Sequence, residues 1–493
     1  MLLTMAVSLY TVRVVLDTLG TVNYGIYNVV GGIVVMFNFL SNTMASASQR
    51  FFSFELGRNN LESLKKTFNM CMAIYTILAI IILILAETVG LWFLNTHMNI
   101  PIERMDAARW IYQFSVFSFM MTMFTIPYDA SIIAHEKMKV YAYISIIEVV
   151  LKLIIVYLIV LFPFDKLKLY AILMFSTTTI ITFIYRTYCI RKFIECRISF
   201  SWDKSIFKEL VSYSGWNLFG ALSSVFKTQG INIILNMFFG PTVNAARGVA
   251  YQVNGAILNF GNNFYTAVRP QIIKSYASNK HDEMMKLVFQ STKFSYYLLL
   301  ILSIPVLLEP KFILGLWLKE IPNYTSIFIQ LVIIDTLIES LANPIVTLVQ
   351  ASGKVKWYQI IVGGVRILNL PIAYFFLYLG YQPESVFYVL IIITILCNIA
   401  RIIIVKNILV FDLKGYLKNV FFVILLVTLI SFMVPKIVQN CWDTILPIKS
   451  IIIIIITLIS SIVSIISIGT SKNEKYFLYK IITKKIKFNL NQD

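Results

Sequence analysis

Long apolar runs alternate with short polar, mostly basic segments along the whole chain. The runs occupy approximately 1–18, 23–45, 67–94, 107–129, 140–163, 167–190, 213–238, 244–268, 288–308, 324–348, 356–379, 385–405, 415–435 and 448–468. Each is about 20 residues long, which is what a helix rising 1.5 Å per residue needs to cross about 30 Å of hydrocarbon. The pattern therefore predicts an all-α polytopic membrane protein of about 14 transmembrane helices. The run at 67–94 is longer than a crossing requires, and 309–323, with Glu309, Lys311, Lys319 and Glu320, is expected to be partly interfacial. The first run lacks the basic flank and small-residue cleavage site of a signal peptide. It begins at Met1 without flanking residues and closes at Gly20, so we expect further residues upstream of Met1.

Composition agrees with the pattern. Hydrophobic residues make up 58% of the chain and charged residues 13%, about half the charged share that keeps a soluble domain in water. Mean hydropathy is +0.79. The net charge of +18 would suit a nucleic-acid binder if it were gathered in one domain, but the cations lie in short loops. They alternate: Arg50, Arg58, Lys65 and Lys66, then Lys137 and Lys139, then Arg186 to Lys208, Arg269 to Lys286, Lys354 and Lys356, and Lys406 to Lys418 fall in even-numbered loops. Odd-numbered loops hold few. This positive-inside bias places both termini in the cytoplasm and accounts for the charge without nucleic acid. The five cysteines (Cys71, Cys189, Cys196, Cys397, Cys441) form no C-x-x-C pair, and His97, His135 and His281 are far apart, so no metal site is expected. No phosphate-binding glycine loop or nucleophilic triad is present either, which argues against an enzyme and against ATP-driven transport by this chain alone.

The chain repeats itself. An offset of 221 aligns 22–68 with 243–289, pairing Val22 with Val243, Asn23 with Asn244, Asn38 with Asn259, Asn42 with Asn263, Glu62 with Glu283 and Lys65 with Lys286. An offset of 217 pairs Pro127, Ala134, Lys137, Lys139 and Tyr141 with Pro344, Ala351, Lys354, Lys356 and Tyr358. Six spans separate each copy from its counterpart, so the halves are parallel repeats, as in transporters whose halves rock about a cleft. This divides the chain into six-helix lobes at 1–200 and 201–410, two further helices at 411–470, and a basic cytoplasmic tail at 471–493. The two repeats are expected to surround a central cavity.

RVVLDTLGTVNYGIYNV at 13–29 and SQRFFSFELG at 48–57 resemble the opening of polysaccharide-unit (Wzx-type O-antigen and capsule) flippases. These belong to the multidrug/oligosaccharidyl-lipid/polysaccharide exporter superfamily. ASGKVK at 351–356, following Pro344, is similar to the second-half signature of that superfamily. The resemblance covers essentially the whole chain and implies a multi-pass protein of the bacterial inner membrane. It implies export of undecaprenyl-pyrophosphate-linked oligosaccharide to the periplasmic leaflet by alternating access, with polysaccharide polymerase or assembly proteins as partners. The short first span departs from the family pattern.

Charges within spans usually face a protein-lined cavity, because an ionisable group at mid-bilayer costs a few kcal/mol. Arg13, Lys152, Lys227, Arg247 and Arg366 are candidate cavity cations for a pyrophosphate-bearing substrate. Glu148 and Lys152, four apart, could instead neutralise each other. Arg50 and Arg269, near repeat-equivalents, are either positive-inside anchors or cations of a cytoplasmic gate. Asp17, Asp335 and Glu339 are candidates for Na+ or H+ coupling, although Asp335 and Glu339 could equally pair with Lys227 or Arg366. Asn38, Asn42, Asn259 and Asn263 could bond neighbouring helices or line a path for sugar hydroxyls. Competing readings are a cation-coupled multidrug antiporter of the same superfamily, a lipid II flippase, and a membrane glycosyltransferase or polysaccharide polymerase. Intramembrane cations disfavour the antiporter, and short outer loops without an acidic or arginine motif disfavour the enzymes.

Overall fold

The structure is a computed structural model that describes residues 38–96, 100–197, 199, 202–316, 318, 321–409, 411–441, 448–472, 474 and 475, together with nine scattered positions between Thr11 and Val30. Most of the first apolar run, including Arg13 and Asp17, and most of the tail lie outside the described residues. The fold is all-α: α1 (Asn38–Gly57), α2 (Leu61–Thr96), α3 (Met105–Ala134), α4 (Met138–Leu161), α5 (Lys166–Lys192), α6 (Lys204–Ala277), α7 (His281–Leu308), α8 (Thr325–Ser352), α9 (Val355–Tyr378), α10 (Ser385–Ile408), α11 (Leu413–Cys441) and α12 (Ile448–Gly469). Among the described residues, 11 segments are long and apolar enough to cross a membrane. Of the expected interfacial stretch at 309–323, Pro310–Gly315 forms a short helical turn.

The helices present apolar side chains outward, as a bilayer requires of a protein whose backbone groups are satisfied internally. On α12, Ile451, Ile455, Ile459, Ile462 and Ile466 are exposed, while Ser450, Thr457, Ser461 and Ser464 are buried. The small buried residues let α11 approach closely, and Ser431 meets Ser464 at 2.7 Å.

The seventh and eighth apolar runs form the single element α6, broken at Gly240, whose φ of 75° and ψ of −171° only glycine adopts readily. The chain turns back there. The Arg247 guanidinium donates to the Thr228 carbonyl at 2.6 Å and to Asn232 Oδ1 at 3.3 Å. Nineteen residues of straight helix would separate Arg247 from Thr228 by about 28 Å, far beyond a side chain's reach. The two expected spans are therefore the arms of a helical hairpin.

Contacts divide the chain into two compact units, Met1–Ala221 with Ile273–Asn279, and Leu222–Ile272 with Lys280–Asp493. In the first, α3 packs on α5 and α1, with Phe68 between Phe52 and Tyr128. The end of α6 is held there by Lys274, which pairs with Glu136 at 2.7 Å. Gly57 permits that approach, since a Cβ would lie 2.7 Å from Lys274 Cα. In the second unit, α8 packs on α7 and α10, and α11 on α12.

The turns correct one register. Asn59 and Asn279 both take positive φ, and the helices that follow start at Leu61 and His281. The offset there is 220, so the ungapped 221 alignment slips by one residue at the turn. Glu136 and Gly353 also share positive φ, with helices starting at Met138 and Val355, and there the offset of 217 holds. Two runs read as continuous are interrupted: α8 at Leu341–Ala342, ahead of Pro344, and α9 at Leu368, ahead of Pro371.

Candidate functional site

A buried charged cluster in the second unit is built from four elements. The first arm of α6 supplies Lys227, α8 supplies Asp335 and Glu339, α9 supplies Arg366, and α10 supplies Thr394, Asn398 and Arg401. Helical spacing explains each contribution. Asp335 and Glu339 are one turn apart on α8, and Thr394, Asn398 and Arg401 recur at i, i+4 and i+7 along one face of α10.

Lys227 Nζ lies 3.6 Å from Asp335 Oδ2 and 3.6 Å from Glu339 Oε2, and it donates to Thr394 Oγ1 at 3.3 Å. The Thr394 hydroxyl donates in turn to Asp335. Arg366 donates to Glu339 Oε1 at 2.6 Å and to Ser224 Oγ at 2.9 Å. Arg401 Nη2 approaches Glu339 Oε1 at 3.7 Å, while its other nitrogens donate to the Tyr358 hydroxyl at 3.2 Å and to Asn398 Oδ1 at 2.6 Å. Three cations thus meet two carboxylates, one positive charge in excess. Leaving such a set in low dielectric without partners would be strongly unfavourable, so each member holds the next. The second arm of α6 adds Arg247, whose guanidinium lies over the Tyr251 ring at 4.3 Å, and Asn254, which accepts from Thr336 at 2.9 Å.

The structure therefore brings together Lys227, Arg366, Asp335 and Glu339, and of the two arrangements open to the acidic pair it shows pairing with the cations. Lys152 is elsewhere: it pairs with Glu148 on its own helix at 2.6 Å, in the first unit and about 40% exposed. Arg50, in the same unit, is buried, 3.6 Å from Glu209 and against the rings of Phe51, Phe54 and Tyr213. Arg269, in the second unit, donates to Gln350 at 2.9 Å. Asn42 and Asn259 are exposed, and Asn263 bonds the Asn259 carbonyl of its own helix rather than a neighbouring one. The side chain of Asn38 lies outside the described residues.

Sequence reasoning passed over Arg401, Thr394 and Asn398. The signal was present as three polar residues at helical spacing in an otherwise apolar run. It also left Lys293 of α7 unremarked. That side chain is buried and pairs with Glu474 at 2.8 Å. Burial opposes ionisation of Glu474, but the bonds from Lys293 and the Ser471 N–H outweigh it and hold the carboxyl below its usual range.

Residues 1–276, more than half of the chain, match the family described as polysaccharide biosynthesis protein. The chain belongs to the polysaccharide biosynthesis protein family. Residues 218–375 of this family member also match MatE. No curated protein matches the sequence. Among solved structures, the fold is similar to an outward-facing multidrug resistance MATE family transporter of the MOP superfamily, at 12% identity and a TM-score of 0.69, covering 82% of this chain and 93% of that one. It is also similar to a MOP superfamily transporter from Pyrococcus furiosus Vc1, whose reversed pocket polarity suggests a different function, at 13% identity, TM-score 0.65 and 84% and 93% coverage. A third, the Vibrio cholerae MATE transporter VcmN in its bent form, matches at 14% identity, TM-score 0.65 and 84% and 94% coverage. Family and fold agree on a multi-pass all-α membrane protein, and these transporters share its fold.

Proposed function

We propose that this member of the polysaccharide biosynthesis protein family moves a polyprenyl-diphosphate-linked oligosaccharide from the cytoplasmic to the outer leaflet of a bacterial inner membrane. The observation that carries this reading is the cationic excess of the buried cluster, where Lys227, Arg366 and Arg401 outnumber Asp335 and Glu339. A diphosphate is bound through charge-assisted bonds, for which guanidinium groups are well shaped. A cationic drug would be repelled by the same excess. Arg247 adds a further cation in the same unit. The positive-inside pattern supports cytoplasmic termini, and assembly proteins such as a polymerase would receive the exported unit.

Deletion of the gene in its host should cause lipid-linked oligosaccharide to accumulate on the cytoplasmic side, with loss of surface polymer. The intact gene should restore both, and Lys227→Gln with Arg366→Gln should not. Unchanged polysaccharide together with new sensitivity to cationic dyes would overturn the reading in favour of a drug antiporter, which the MatE match over 218–375 also supports. Arg50→Gln with Arg269→Gln should impair export at normal membrane levels if these cations gate the cytoplasmic side.

A further inference from the structure

The members of the cluster are not equally enclosed. Side-chain exposure is 2% for Arg401 and 9% for Lys227 but 36% for Glu339. Glu339 is thus the open side of the cluster, and all three cations converge on it, at 2.6 Å from Arg366, 3.6 Å from Lys227 and 3.7 Å from Arg401. Asp335, the more enclosed carboxylate, is tied to Lys227 and the Thr394 hydroxyl.

The charge count makes Glu339 an imperfect match for its own seat. With it in place, three positive charges face two negative ones. With it turned out of the cluster, Lys227, Arg366 and Arg401 face Asp335 alone, and an anion of two negative charges would bring these groups to neutrality. A singly charged anion would leave the same excess that Glu339 leaves. The diester diphosphate that joins a lipid to a sugar carries two negative charges, whereas the corresponding monophosphate diester carries one.

The backbone supplies means for such an exchange. α8 is interrupted at Leu341–Ala342, directly after the turn that bears Glu339, and α9 is interrupted at Leu368, two residues beyond Arg366. Interruptions of this kind are where a packed helix absorbs a change of φ and ψ. Beside the second, Asn369 is fully buried with neither amide atom bonded.

We infer that Glu339 is an internal counter-anion seated where a diphosphate diester binds, and that its displacement by the ligand selects a doubly over a singly charged lipid-linked sugar. This rests on the transport reading above and adds to it the residue that sets the charge of the substrate.

The test measures binding of geranyl-diphospho-glucose and geranyl-phospho-glucose to the full chain in lipid nanodiscs, alongside flipping of lipid-linked oligosaccharide in vesicles. Wild type should prefer the diphosphate probe. Glu339→Gln removes the competitor, so its dissociation constant for that probe should fall about tenfold, equivalent to about 1.4 kcal/mol. Flipping should slow, because the returning carboxylate no longer assists release. Tighter binding with slower turnover is a split that a merely structural residue would not produce. Where the Gln variant fails to fold, Glu339→Asp, which withdraws the charge by one methylene, should shift affinity in the same direction by a smaller factor.

Equal or weaker diphosphate binding in a folded Glu339→Gln protein would overturn the exchange while leaving the transport reading intact. So would equal affinity of wild type for the two probes. Failure of both variants to fold would assign Glu339 a structural role and overturn the exchange. Absence of diphosphate binding by wild type and variant alike would overturn both the exchange and the reading on which it rests.

Discussion

Two charged groups within membrane-spanning helices, one in each unit, are built on opposite plans. Glu148 and Lys152 in the first unit sit one turn apart on α4, touch only across that turn at 2.6 Å, and are each about 40% exposed. In the second unit, Lys227, Asp335, Glu339, Arg366 and Arg401 come from four helices separated by up to 174 residues of chain, and all but Glu339 are largely enclosed. The first pair is formed as soon as its helix forms. The second exists only once α6, α8, α9 and α10 have packed, so its members report on tertiary structure and carry most of the energetic consequence of a substitution.

Arg401→Met should have the largest effect. It strips Glu339 of one cation and leaves the Tyr358 hydroxyl and Asn398 amide without their guanidinium, and breaking a buried pair in this way costs about 3–5 kcal/mol. Thermal unfolding in detergent should show it as a large loss of folded protein, and near-normal stability would remove the contrast drawn above. Asp335→Asn comes next, at about 2 kcal/mol, because Lys227 keeps Glu339 as a partner. Its residual transport should keep whatever dependence on an ion gradient wild type has. Abolished dependence would make Asp335 a coupling residue instead of a structural partner.

Glu474→Gln should cost about 2 kcal/mol near neutral pH. Because the folded carboxyl titrates below its usual range, the pair's contribution is complete above about pH 4.3. It is lost as pH falls through the lowered value, so the variant's deficit should shrink on acidification. A deficit independent of pH would remove the ion pair as its cause. The smallest effect is expected at α4. A double-mutant cycle on Glu148→Gln and Lys152→Gln should give a coupling of about 0.5 kcal/mol. A coupling above about 2 kcal/mol would place this pair among the enclosed ones and erase the difference between the two regions.

The same contrast explains what was legible in the sequence. Apolar run length located the helices, because a bilayer imposes one thickness on all of them. Repeat identities located equivalent turns, such as Glu136 and Gly353, because a tight turn constrains few residues strongly. The candidate cations Lys227 and Arg366 stood out as charges in apolar runs, and the acidic partners on α8 stood out by spacing. What spacing could not supply was the partner across helices. Nothing local to Arg401 says that it meets Glu339, 62 residues earlier, and nothing local to Glu474 says that it reaches Lys293. The breaks in α8 and α9 were masked for a different reason: Pro344 and Pro371 lie within runs whose apolarity continues past them, and hydropathy does not register a lost hydrogen bond.

The hairpin of α6 has a consequence for biogenesis. Its first arm, Lys204–Gly240, is apolar enough to cross a bilayer, but among the described residues 241–277 is not one of the segments that qualify. That second arm also carries Arg269 near its end. During synthesis it would not be released laterally into lipid by its own hydrophobicity. It must be retained at the insertion machinery until an adjacent helix shields its polar face, and the tight return at Gly240 presents the preceding arm within a few residues of chain. Lengthening that return with a flexible insert would therefore be read out first as failed membrane integration, before any effect on transport.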